Sequence, residues 1–200
     1  MFARSSAMES CRLRRLNGLY GTELRPFIAT PNSSAGDPMS AALSLVTGAA
    51  AIGSATVGGV FYGFSTFIMR GLRQLRPSAG VATMQQINIA AVKPGLMAVM
   101  FGTAAACVAL AVWTGVRGPS RQSVAVFAGG VLYLAGSVGV TAAYQVRLNN
   151  ALAGLDPHGP ETEAVWQDYL RRWTAGNHLR TIGCLAAAAL YLWALAAGNE

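Results

Sequence analysis

An amide, an imidazole and a guanidinium stand side by side on the threshold of an apolar run. Asn177, His178 and Arg180 directly precede Thr181 to Asn199, which holds no Asp, Glu, Lys or Arg. An imidazole ordinarily gains and loses its proton near neutral pH, an amide hydrogen-bonds oxygen, and a guanidinium stays cationic. Gathered in one pocket, these groups could take a proton and hold the resulting anion.

More uncharged polar residues gather at comparable boundaries: Ser65 and Thr66, then Gln85, Gln86 and Asn88, then Gln145, Asn149 and Asn150. A polar group without a partner in an apolar layer costs several kcal/mol by rough transfer estimates, so such residues satisfy one another, water or a ligand. Two readings stay open at this point. Either the residues form a polar pocket, or the amides cap helix ends while Arg180 snorkels and His178 hydrogen-bonds at the interface.

The elements that must position these residues are membrane helices. The chain of 200 residues is 53% hydrophobic and only 12% charged, with a mean hydropathy of +0.40; a soluble domain carries roughly a quarter charged residues. Windows free of charge run from Pro38 to Met69, Pro94 to Val116, Gln122 to Val146 and Thr181 to Asn199, each near or above the ~20 residues that cross a bilayer. The runs are continuous rather than alternating, which argues against a membrane barrel. The expected fold class is all-α, a four-transmembrane-helix bundle with spans at about 43–69, 94–116, 122–146 and 179–197.

Short interfacial helices are expected before the second and fourth spans. In VATMQQINIAA, Val81, Met84, Asn88 and Ala91 share one face. In the helix that starts with ETEAVWQDYLRRW, the stripe Trp166, Leu170, Trp173 and Asn177 suggests tryptophans anchored at the headgroup level. The turn Arg117-Gly118-Pro119-Ser120-Arg121 makes the second and third spans antiparallel neighbours. With this topology all the polar boundaries named above fall on one side of the membrane. Arg70, Arg73, Arg76, Lys93, Arg147, Arg171, Arg172 and Arg180 share that side, against Arg117 and Arg121 opposite. The positive-inside rule then puts the polar side in the cytoplasm, whereas counting the arginines of residues 1–38 leaves the balance undecided. Those residues read as a disordered N-terminal extension or as a start misassigned ahead of Met39, leaving 39–200 as the membrane domain, in a cell (plasma) membrane.

Several chemistries are disfavoured. Cys11, Cys107 and Cys184 form no CxxC pair, and His158 and His178 are too few and badly placed for a bis-His haem. No zinc or di-iron spacing is present, and no metal or cofactor is expected. The net charge of +7 is absorbed by anionic lipid and calls for no nucleic acid.

Four motifs in order carry a resemblance. Phe64-Ser65-Thr66-Phe67-Ile68-Met69, Met84-Gln85-Gln86-Ile87-Asn88, the stretch VRLNNAL from Val146 to Leu152, and WQDYLRRWTAGNHLRT from Trp166 to Thr181 resemble the signatures of the anthrone oxygenase-like family of small four-helix membrane proteins. The resemblance covers about Met39 to Ala197. It departs at Gln145-Val146-Arg147-Leu148-Asn149, where an Asn-Val-Pro-Leu-Asn type of pattern is expected, and at Arg70, where proline is frequent. It implies oxidation of a hydrophobic aromatic anthrone to a quinone by O₂ without a cofactor. On that reading His178 is the general base, Asn88, Asn149 or Asn177 hydrogen-bonds the oxyanion, Arg180 balances its charge, and Trp166 and Trp173 stack on the rings. A membrane protein that binds a lipophilic ligand or a partner subunit through the same pocket is the alternative.

Overall fold

A computed structural model describes residues 40–197; the calls on 1–38 lie outside the described residues. Within them the chain is helical. Helix α1 (Ala41–Arg73), α3 (Pro94–Arg117), α4 (Arg121–Ala153) and α5 (Thr162–Ala197) are long and apolar enough to cross a membrane. Helix α2 (Pro77–Ala91) lies between α1 and α3. The protein is an integral membrane protein of the all-helical class expected.

Local chemistry sets the boundaries. Ser40 caps α1 by accepting from the Leu43 amide at 3.4 Å. Pro77 and Pro94 occupy the first turns of α2 and α3, where a missing N–H costs nothing. Gly118, at φ 86°, ends α3 in a backbone region that side chains rarely enter, and Ser120 with Ser123 forms a capping box that starts α4. The tight turn makes α3 and α4 neighbours, as the sequence indicates.

One expectation needs correction. The segment before the fourth span is helical but is not a separate interfacial helix, because α5 runs unbroken for 36 residues. At 1.5 Å per residue such a helix is about 54 Å long, well beyond the ~30 Å of a hydrocarbon core. Its N-terminal half therefore projects from the apolar layer.

That projection divides the interior into two storeys. In the membrane storey Val57, Phe61, Met100, Cys107, Val126, Tyr133, Cys184 and Tyr191 pack together, while Leu45, Ile52, Val108, Val112 and Leu192 are exposed on the outside, as lipid-facing residues are. Above it, Met69, Leu72, Val81, Met84, Leu152, Trp166, Leu170 and Trp173 form a second apolar core. The tryptophans belong to this cap. Trp166 is fully buried and Trp173 nearly so, so neither anchors at the headgroups as expected; a Cβ at Gly80 of α2 would meet the Trp166 ring at 2.8 Å.

Candidate functional site

The seam between the two storeys holds the polar residues. On α1 the helix widens into a π turn at Phe64–Ile68, a form that recurs at functional sites. Opposite it, Asn177 of α5 is completely buried and donates from Nδ2 to the Phe61 carbonyl at 2.6 Å and to Ser65 Oγ at 2.8 Å. Ser65 Oγ also lies 3.3 Å from Thr181 Oγ1. From α4, the buried Gln145 donates to the Trp173 carbonyl at 3.0 Å. Gln85 of α2 donates to the Leu152 and Leu155 carbonyls at the end of α4. Asn177, Gln145 and Gln85 thus tie helices to one another at this seam.

Between these ties lies a cleft of about 60 Å³ lined by Phe61, Phe64, Asn88, Asn149, Trp173 and Arg180, among others. Arg180 is buried, with its guanidinium carbon 3.6 Å from the centroid of the Phe61 ring and 6.0 Å from that of Trp173. Its Nε has no hydrogen-bond partner, and among the described residues the ion pairs are those of Arg171 and Arg172 with Asp168. Among the described residues the Arg180 charge thus has ring faces and no carboxylate beside it. Asn88 Nδ2 is likewise buried and makes no hydrogen bond of regular geometry, with the Tyr169 hydroxyl as its polar neighbour.

The cleft shares two of its lining residues with a larger space. Asn88 and Asn149 also line a groove of about 380 Å³ between α2 and α4, with Gln85, Gln86 and Asn150 beside Ile89, Val92, Val146 and Ala153. The larger space can hold a ring system, and the smaller one can take only an edge of it. Neither lining contains a carboxylate or an imidazole.

The structure sorts the expected site residues into separate groups. Asn88, Asn149, Trp173 and Arg180 meet at the cleft. Asn177 is committed to α1, and Trp166 lies in the cap core, stacked on Tyr169 with centroids 5.7 Å apart. His178 is exposed and lines neither space. One residue step on an α-helix turns the side chain by about 100°, which carries His178 off the Asn177 and Arg180 face. The expected general base is not at the site. Phe61, Phe64 and Tyr169 were not expected as site residues; the signals that could have pointed to them are the motifs holding Phe64 and Tyr169 and the i, i+4 spacing of Phe61 with Ser65 and of Tyr169 with Trp173. Among the described residues no three His, Cys, Asp or Glu side chains gather where a metal could bind.

A family model described as Anthrone oxygenase matches residues 95–190. Over that stretch the chain is similar to the anthrone oxygenase family. No curated protein and no solved structure matches it. The match takes in α3, α4 and most of α5, hence Asn149, Trp173 and Arg180, while Phe61 and Asn88 come from helices before it.

Proposed function

We propose that this anthrone oxygenase-like protein oxidises an anthrone-like phenolic to a quinone with O₂ and without a cofactor. The observation that carries the reading is Arg180, a cation without a carboxylate partner among the described residues, in a cleft that shares Asn88 and Asn149 with a larger groove. An anthrone with its carbonyl oxygen in the cleft presents the ring edge bearing its acidic CH₂ to the groove. Loss of a proton gives the anthranolate, whose negative oxygen Arg180 and Asn88 stabilise. With no carboxylate or imidazole in either lining, water in the groove accepts that proton, and the donors act by making the substrate more acidic. The anthranolate passes one electron to O₂. Recombination forms the C–O bond of a hydroperoxide, and loss of water leaves the quinone, so one anthrone and one O₂ give one quinone and one water.

The missing base favours a second reading, in which the same cavity binds an anionic lipophilic ligand without turning it over. Oxygen uptake and quinone absorbance separate the two in proteoliposomes given an anthrone, with empty vesicles correcting for spontaneous oxidation. Turnover should rise with pH until the bound substrate is fully ionised. Arg180→Met, which keeps bulk and removes charge, should lose roughly 100-fold, the usual cost of an oxyanion donor. Rates equal to those of empty vesicles would leave only the binding reading.

A further inference from the structure

Asn149 is held in one orientation by two donors. Its Oδ1 lies 2.9 Å from Tyr169 Oη and 2.9 Å from Trp173 Nε1. An indole N–H can only donate, so the Asn149 atom facing Trp173 must be the oxygen and not the amide nitrogen. That identity also commits the Tyr169 hydroxyl proton to Asn149. With Oδ1 doubly occupied, the atom left for the cleft and groove that Asn149 lines is the NH₂ donor. Tyr169 is itself buried, with its hydroxyl beside the Asn88 amide.

We propose that Tyr169 and Trp173 are positioning residues that turn the Asn149 NH₂ toward Asn88 and Arg180, so that the site takes its ligand as an oxyanion in preference to the neutral form. The proposal rests on the function proposed above, whose anthranolate is such an anion, but it concerns binding and not turnover. Trp173 thereby acts through its ring nitrogen as well as through its face. An Asn149 free to flip would present Oδ1 to the ligand oxygen, where two acceptors repel.

The test uses the full chain in nanodiscs and 1,8-dihydroxyanthraquinone, which cannot be oxidised further at its central ring and changes from yellow to red on ionisation. The protein should move that transition to lower pH by about one pH unit, a tenfold preference for the phenolate. Asn149→Asp keeps an acceptor for both Tyr169 and Trp173 but places no donor and a negative charge at the cleft; it should abolish the shift with the protein's melting temperature retained. Tyr169→Phe frees one side of the amide and should weaken phenolate binding about tenfold, the scale of one hydrogen bond to a charged group. The proposal falls if the wild-type chain leaves the transition where protein-free nanodiscs have it, or if Asn149→Asp behaves as wild type. Phenolate binding without anthrone turnover would sink the oxygenase reading and leave the anion site standing, so the two failures are distinguishable.

Discussion

A cation in the apolar layer of a membrane protein needs a counter-charge, water or a ring face. Arg180 lies against Phe61 and near Trp173, and this arrangement leaves its N–H groups unspent for a ligand. Had a carboxylate paired with it, the charge would be neutralised before any substrate arrived. Its sequence neighbour His178 has the type suited to proton transfer but is turned outward. His178→Ala should accordingly leave anthrone turnover within about twofold of wild type, since an exposed substitution away from the site changes little. Oxygen uptake per mole of inserted protein checks this, and a large loss would mean that the substrate approaches α5 from its outer face instead of through the groove. Side-chain type was thus legible in the sequence, and so was the stripe Trp166, Leu170, Trp173 and Asn177, all buried, from which His178 is turned by about 100°; what that stripe faces was not, because lipid and protein are both apolar.

Helix packing explains why the seam is held so closely. α4 departs from regular α geometry at Leu134–Gly139 and again at Thr141–Gln145, and these wider turns bring Gly136 against Gly183 of α5. A Cβ on Gly183 would stand 2.9 Å from the Gly136 Cα and 2.9 Å from the Leu132 carbonyl oxygen. Both obstacles are backbone, so a methyl group can be admitted only by parting the helices. Gly183→Ala should therefore destabilise the bundle by about 1–3 kcal/mol, the usual cost of overpacking, seen as a lower melting temperature in detergent; an unchanged value would show that α4 and α5 are not held together there. The parting would also lengthen the Gln145 bond to the Trp173 carbonyl, which ties α4 to the wall of the cleft. The four spans and the antiparallel α3–α4 pair were readable because charge-free runs and a Gly-Pro turn report directly on lipid and on chain reversal. The unbroken α5 was not readable. ETEAVWQDYLRRW is amphipathic and charged, like an interfacial helix, and only its packing against α2 and the end of α4 shows that it continues the membrane helix upward.

The two storeys together set the direction from which a ligand arrives. The groove opens between α2 and the C-terminal part of α4, beside the cap and not along the lipid-facing middle of the spans, so the site is reached from one membrane surface. Arg70, Arg73, Arg76, Lys93, Arg147, Arg171 and Arg172 are exposed on the cap side, against Arg117 and Arg121 at the far end of the α3–α4 hairpin. Counted without residues 1–38, the excess of basic residues near the span ends on this side predicts that the cap, the groove and the mouth of the site face the cytoplasm. Labelling decides it. In a Cys11→Ser background the remaining Cys107 and Cys184 are buried and should stay silent, so a cysteine introduced at the exposed Gln167 reports on the cap alone. A membrane-impermeant maleimide should label that cysteine only after cells are permeabilised, while one placed at Pro119 in the opposite turn should label in intact cells. The reverse pattern would put the groove outside, where its ligand would have to come from the surroundings and not from the cell's own metabolism.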